Sequence, residues 1–354
     1  MSVPTEIRLT LAPTRRFEAI DVVGCVRREF GDVLGGHRRA LYCSMHSTAG
    51  YLEQSLTARL EHRPDLVHQF FDAFKAVFPE GASYRHDQME QREELTEAQK
   101  EVEPPNADSH LTFIGAGMRN CVTYRNDPVA PVYFIDLDGT YQGTRRQRNT
   151  AIVAYDTERV VASRTMAIPV SRHPIDSVNL SEPRFGLVDL ANDLLAHHGL
   201  QKGRIDFVLP AEEHDAGLTV NEYETLLMRH DLVEVLRDPL RFAAERSRHL
   251  IGDPLAIPSK TINYARYDMV RLFNSLMEAL RVDQSVVERL VARVMAVPAR
   301  RFLRSRRVSF LASDPDERGR TRLVRGVYQS PILVQWRPAE AQSRRVDVVL
   351  VELL

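Results

Sequence analysis

The chain has 354 residues, 44% of them hydrophobic and 27% charged, with a net charge of −1 at neutral pH. That length supplies two domains with cores of their own, and the balance excludes a disordered or membrane-embedded chain. A charge this close to zero gives no global attraction to nucleic acid or to a membrane, and neither is expected as a partner.

The first segment, MSVPTEIRLTLAP, lacks a basic stretch followed by an apolar one, so no secretory signal is expected. The odd set Cys25, Cys43 and Cys121 has no metal-ligand spacing and fits a reducing cytoplasm. IRLTL alternates as a strand does, and a turn and the Arg16-Phe17 pair then lead into a helix. RRALYCSMH reads as a strand ending at His46, and His110 as the residue that opens a strand over LTFIGAG. GTYQG is a glycine-flanked turn. AIVAY and VVASRTMAIPV read as an antiparallel hairpin across the short polar link DTE. A proline then interrupts the pattern near Ser171 to Pro174. Beyond it, LVDLANDLLAHHG reads as a helix whose His197 and His198 meet the C-terminal dipole ahead of Gly199. GRIDFVLP is a strand, and AGLTVNE follows it. KTINYARYDMVRLFNSLMEAL and VVERLVARVMAV carry helical spacing, with Tyr264, Tyr267, Val270, Phe273 and Leu276 on one face. The basic runs at Arg145, Arg146 and Arg148 and over 300–307 read as solvated faces.

Four anchors recur in order in the two halves: Phe17 and Phe185, Ala49-Gly50 and Ala216-Gly217, Tyr141-Gln142 and Tyr328-Gln329, Val160 and Val346. The sequence thus predicts an α+β chain of two tandem copies, 1–171 and 172–354, with antiparallel sheets, flanking helices and a helical insertion in the second.

MHSTAGYLEQ, YRHD, ADSHL and GTYQG, in that order, resemble motifs of the YjbQ family, also called the secondary thiamine-phosphate synthase family. In the second half AGLTVNE, and GVYQS followed by SRRV, resemble it too. The resemblance implies tandem YjbQ-like domains, a trimer-like homo-oligomer, and a histidine-lined site near contacts between domains. It also implies an enzyme acting on a small polar or anionic metabolite, as a thiamine-phosphate-synthase-like transferase. A metal-dependent hydrolase or lyase, and a non-catalytic metal- or ligand-binding oligomer, stay open beside it.

On that resemblance His46, His86 and His110 are the candidate ligands of a divalent metal, Zn or Mn, which would acidify water or polarise a phosphoryl oxygen. Imidazoles could equally serve as general acid and base with no ion. Ser47 and Thr48 offer donors to an anion, and Arg85 and Arg145 offer charge. Gln142 either binds a polar substrate edge or closes its turn. Asp87 stands beside His86 as a candidate catalytic carboxylate. Glu213 takes the place of His46 in the second half, which keeps Asn221-Glu222 where the first has Gln54-Ser55. A composite site is therefore expected, with histidines from one half and Asn221 and catalytic Glu222 from the other. No P-loop, dinucleotide fingerprint or H-E-x-x-H occurs, so no nucleotide cofactor is expected.

Overall fold

A computed structural model describes residues 3–127, 129–238, 242, 302–303, 305–313 and 321–354. The helices expected between 260 and 298 lie outside the described residues. The fold combines helices with antiparallel sheets, as the sequence predicts.

The elements run β1 (Thr5–Leu11), β2 (Glu18–Asp21), α1 (Val22–Phe30), β3 (Arg39–Ser44), β4 (Ala49–Gly50) and α2 (Gln54–Arg59). Next come α3 (Pro64–Val77), α4 (Glu97–Val102), α5 (Ala107–Gly115), β5 (Cys121–Arg125), β6 (Tyr133–Asp136), β7 (Thr140–Tyr141) and β8 (Thr144–Arg145). β9 (Arg148–Tyr155), β10 (Glu158–Pro169), β11 (Asp176–Asn179), α6 (Leu187–His198), β12 (Gly203–Val208) and β13 (Ala216–Asn221) follow. A π-helical turn, Leu227–Asp231, leads into α7 (Leu232–Arg237). The last strands are β14 (Arg307–Ser313), β15 (Arg322–Val324), β16 (Ser330–Gln335) and β17 (Ser343–Leu353).

The chain forms two compact units that do not divide at 171/172. One comprises Met1–Ala58, Gly117–Tyr223 and Leu303–Leu354, and the other Arg59–Ala116 and Glu224–Phe302. Each unit therefore draws on both halves of the sequence.

The first unit holds the sheets. One has the order β1-β9-β3-β5, a second β10-β17-β12-β14-β15, and two smaller ones β2-β6-β4 and β11-β16-β13. The four strands of the first correspond in order to the first four of the second, which adds β15 at its edge: β9 lies between β1 and β3 as β17 lies between β10 and β12. Register agrees as well, Arg148 facing Leu11 and Arg344 facing Ile168. In the smaller sheets Asp136 faces Ala49 and Gln335 faces Ala216, so the two Ala-Gly pairs hold matching places.

Other sequence anchors do not match. Phe17 precedes β2 whereas Phe185 follows β11, and Gln142 follows β6 whereas Gln329 precedes β16. The hairpin expected between AIVAY and VVASRTMAIPV is likewise absent. β9 is taken on both edges by β1 and β3, and β10 pairs with β17 in the other large sheet. Two saturated edges leave β9 no donors or acceptors for its neighbour in sequence.

Alternation builds the core. β1 buries Ile7, Leu9 and Leu11 from one face. These pack with Tyr42, Tyr51, Tyr124 and Phe134, whose rings meet edge-on or tilted at 5.5–5.6 Å. Rings offset in this way add about 1 kcal/mol per pair to their area burial. Leu41, Cys43, Cys121, Val153 and Tyr155 on the opposite face pack with Leu311 and Leu353, joining the two large sheets. α6 ends as expected, on Gly199 at φ 60°, with its N–H bonded to Leu195 O.

In the second unit α3 is amphipathic and buries Val67, Phe70, Phe71, Phe74 and Val77. Phe78 packs on Phe242 and Phe302, residues far along the chain. The strand expected from His110 is instead α5, buried along its whole length. A short apolar run does not by itself distinguish a strand from a buried helix. Here Asp87 Oδ1 accepts the Ala107 N–H (3.0 Å) and so satisfies a donor of the first turn.

Candidate functional site

Two polar centres are built into the fold, one in each unit. That of the second unit surrounds His86, which is fully buried between α3 and α4 in sequence. Its Nδ1 donates to Glu224 Oε2 (2.9 Å) and its Nε2 faces Asn106 Oδ1 (3.1 Å). Glu224 also accepts the N–H groups of Leu226 and Leu227, which open the helical segment after it. Asp231 accepts the backbone N–H groups of Arg85 and His86, at 3.1 and 2.9 Å. The imidazole of His110 stands edge-on to that of His86, with ring centroids 5.2 Å apart.

These contacts set the charges. Burial opposes an imidazolium at His86, yet the bond to Glu224 and its charge prevail and raise its pKa. Burial likewise opposes the Glu224 carboxylate, but His86 and two backbone N–H groups outweigh it and lower its pKa. The pair is therefore ionic, with both imidazole N–H groups satisfied. Asp87, only half-buried, is pushed up to about 6, chiefly by burial, with Asp108 and Asp231 adding to it.

The centre of the first unit surrounds Arg148 on β9. Its side chain is buried, and its Nε and Nη2 grip Asp136 in a fork at 2.6 and 3.0 Å. Nη2 also donates to Asp138 O, and Arg146 pairs with the Asp138 carboxylate at 3.0 Å. His46, two residues past β3, accepts the Asn149 N–H at Nε2 (2.7 Å) and turns Nδ1 toward Arg148 Nη1 (3.5 Å). Burial, then the charges of Arg148 and Arg146, lower the His46 pKa to about 3, so it is neutral at ordinary pH. Gln329 holds this segment from below: its Nε2 donates to Ser44 O and His46 O. The loop reaches so close that a Cβ on Gly326 would collide with the carbonyl of Met45.

The remaining candidates are distributed between the units. Ser47 and Thr48 are buried and used through their carbonyls, which accept from Asn221 Nδ2 and Leu137 N. Asn221 Oδ1 accepts the Glu222 N–H. Sequence reasoning places the carboxylate of a composite site at Glu222, whereas the one bonded to His86 is Glu224, two residues on. Arg145 spends its guanidinium on the carbonyls of Ala12 and Pro13. Gln142 is exposed at a β7–β8 turn with φ 47°, its amide donating to Tyr141. Arg85 is exposed, a cation beside the buried His86.

The histidines do not fit a shared metal. His86 has both nitrogens engaged by Glu224 and Asn106, and His46 Nε2 is taken by a backbone N–H beside two arginines. Among the described residues no group of three or more His, Cys, Asp or Glu could hold an ion. Nor does any helix among them have the length and apolarity to cross a membrane.

No protein-family model and no curated protein matches the chain. Several solved structures resemble it. A YbjQ-like protein of unknown function from Sulfolobus solfataricus P2 is 14% identical, with 55% of this chain and 99% of that chain covered and a TM-score of 0.28. A hypothetical protein from Aeropyrum pernix K1 is 14% identical over 55% and 98% of the two chains, with a TM-score of 0.27. An uncharacterized conserved protein of the yjbq/upf0047 family from Clostridium acetobutylicum is 10% identical over 55% and 100%, with a TM-score of 0.25. The similarity thus extends over about half of this chain and nearly the whole of each of those proteins.

Proposed function

We propose that this chain is a YjbQ-like enzyme acting on a small anionic, phosphorylated metabolite by acid–base chemistry without a metal ion. The carrying observation is Asp87, a half-buried carboxyl poised at about 6 beside the buried His86–Glu224 pair. A group titrating near neutral pH both gives and takes protons efficiently. His86, gripped at both nitrogens, is a positioning residue, and exposed Arg85 attracts the substrate's negative charge. In a thiamine-phosphate-synthase-like transfer, Asp87 would protonate the departing diphosphate oxygen.

The matched order of the two large sheets supports a second part of this reading, that one architecture occurs twice in the chain. The second unit then combines an excursion from each copy, and its polar centre is composite. A cytoplasmic homo-oligomer with a trimer-like arrangement of domains completes the proposal.

The test is thiamine phosphate formation from the pyrimidine diphosphate and thiazole phosphate, measured with wild type and Asp87→Asn. Turnover that falls about 10²–10⁴-fold in the variant, and is indifferent to a chelator, is expected. Activity abolished by chelation and restored by Zn²⁺ or Mn²⁺ would replace this reading with the metal-dependent hydrolase or lyase. Binding of the substrates without turnover would leave a non-catalytic ligand-binding oligomer.

A further inference from the structure

The corresponding strands β9 and β17 each carry a buried arginine in the same register, and their surroundings differ in one informative respect. Arg344 donates from Nε to Gln335 Oε1 and from Nη2 to Arg337 O, at 3.1 and 2.7 Å. Arg148 makes the equivalent bonds to Asp136 and Asp138 O. The Nη1 ends diverge. Arg344 Nη1 meets two oxygens, Glu213 Oε2 at 3.2 Å and His214 O at 2.7 Å. The other oxygen of Glu213 accepts the Arg345 N–H at 3.0 Å. One carboxylate thus bridges the arginine and the N–H of the residue after it.

In the first large sheet His46 occupies the place of that carboxylate, accepting the Asn149 N–H and facing Arg148 Nη1. An imidazole cannot do both as an acceptor. A backbone N–H only donates, so Nε2 is the bare nitrogen and the proton of neutral His46 sits on Nδ1. Nδ1–H and Nη1–H, 3.5 Å apart, are then two donors side by side, with Arg146, itself paired with the Asp138 carboxylate, nearby. Among the described residues no oxygen accepts from Arg148 Nη1, and none accepts from His46 Nδ1. Arg148 is buried and His46 half-buried, and donors withdrawn from water without an acceptor are costly.

We propose that His46 Nδ1–H and Arg148 Nη1 form an oxyanion-binding site, which takes a phosphate or carboxylate group of a small molecule. Glu213 supplies that oxygen internally in the second large sheet; in the first it comes from a ligand. The site stands on the first unit alone and does not depend on whether Asp87 performs chemistry.

Removing Arg148 would strand Asp136, so the informative variant is His46→Glu, which restores the bridging carboxylate of the other sheet. The full-length protein is titrated calorimetrically with inorganic phosphate and, separately, with acetate. Wild type should bind at least one of them, and His46→Glu should bind it at least about tenfold more weakly while melting no lower in anion-free buffer. Phosphate alone, acetate alone or both distinguishes the group recognised. Equal binding by the two proteins, or none by wild type, overturns the proposal. So does an imidazole ¹⁵N spectrum showing His46 protonated at Nε2, a readout that needs no ligand.

Discussion

Glu224 Oε2 lies 2.9 Å from His86 Nδ1 although 138 residues separate them, and both side chains are almost wholly buried. Glu224→Gln keeps the shape and removes the charge, leaving an imidazolium without its counter-ion. It should cost about 3 kcal/mol near pH 6, within the range for breaking a buried pair. Urea unfolding measures this; an unchanged midpoint would show the pair to be neutral.

The pH dependence follows from the shifts. His86 has its folded pKa raised, so its contribution is complete below the ordinary 6.5 and disappears as pH rises through the folded value. Glu224 is lowered, so its contribution is present above 4.5 and disappears as pH falls through its folded value. Thermal unfolding should therefore lose stability above about pH 6.5 in wild type and lose less in Glu224→Gln. The groups facing His86 that enter this balance are Glu224, Arg92 and Asp87.

Asp87 behaves oppositely to Glu224. Its folded pKa is raised from 3.8 to about 6, so the folded state is progressively penalised as pH rises across that interval. Asp87→Asn retains an oxygen for the Ala107 N–H and should be more stable by about 2 kcal/mol at pH 7. The same variant should lose turnover by the factor given above, the usual exchange of stability for function at a site. Melting curves at pH 4 and 7 check it, since the gain should vanish at pH 4.

Arg148→Met should cost about 4 kcal/mol, because Asp136 is fully buried and gripped by this guanidinium. Arg344→Met leaves neutral Gln335 and a Glu213 still bonded to Arg345, and should cost about half as much. Denaturant midpoints of the two variants, compared at pH 7, decide whether the arginines differ in this way.

The glutamines of the look-alike GTYQG and GVYQS segments should separate clearly. Gln329 is buried and donates to two carbonyls, so Gln329→Ala should cost about 2 kcal/mol. Gln142 is exposed on its turn, and Gln142→Ala should stay within about 0.5 kcal/mol. Chemical unfolding of each variant is sufficient.

Much of the fold was legible because alternation and caps are local. IRLTL, RRALYCS and GRIDFV are strands, and Gly199 ends its helix as written. Partner choice was not legible: nothing in AIVAY states that β1 and β3 will occupy both of its edges. His110 was misplaced on a strand because a buried helix and a buried strand share one short apolar run. At the sites, the histidines and Asp87 were visible by type, but Asp136, Arg148 and Glu224 looked like ordinary charges until burial and pairing were known. The AGLTVNE stretch leads to Glu222, and nothing in it distinguishes Glu224, two residues on, as the partner of His86.

The two stretches of the second unit enter and leave it at corresponding points, between β4 and β5 and between β13 and β14. Synthesis makes this an ordeal of timing. At roughly 5–20 residues per second, a ribosome needs on the order of ten seconds between His86 and Glu224. Over that interval the phenylalanines of α3, and Phe78 awaiting Phe242 and Phe302, have no completed core to enter. The nascent chain is then sticky where the finished protein is most polar in purpose. Expression with a holdase, or at reduced translation speed, acts on this window rather than on the stability of the finished fold.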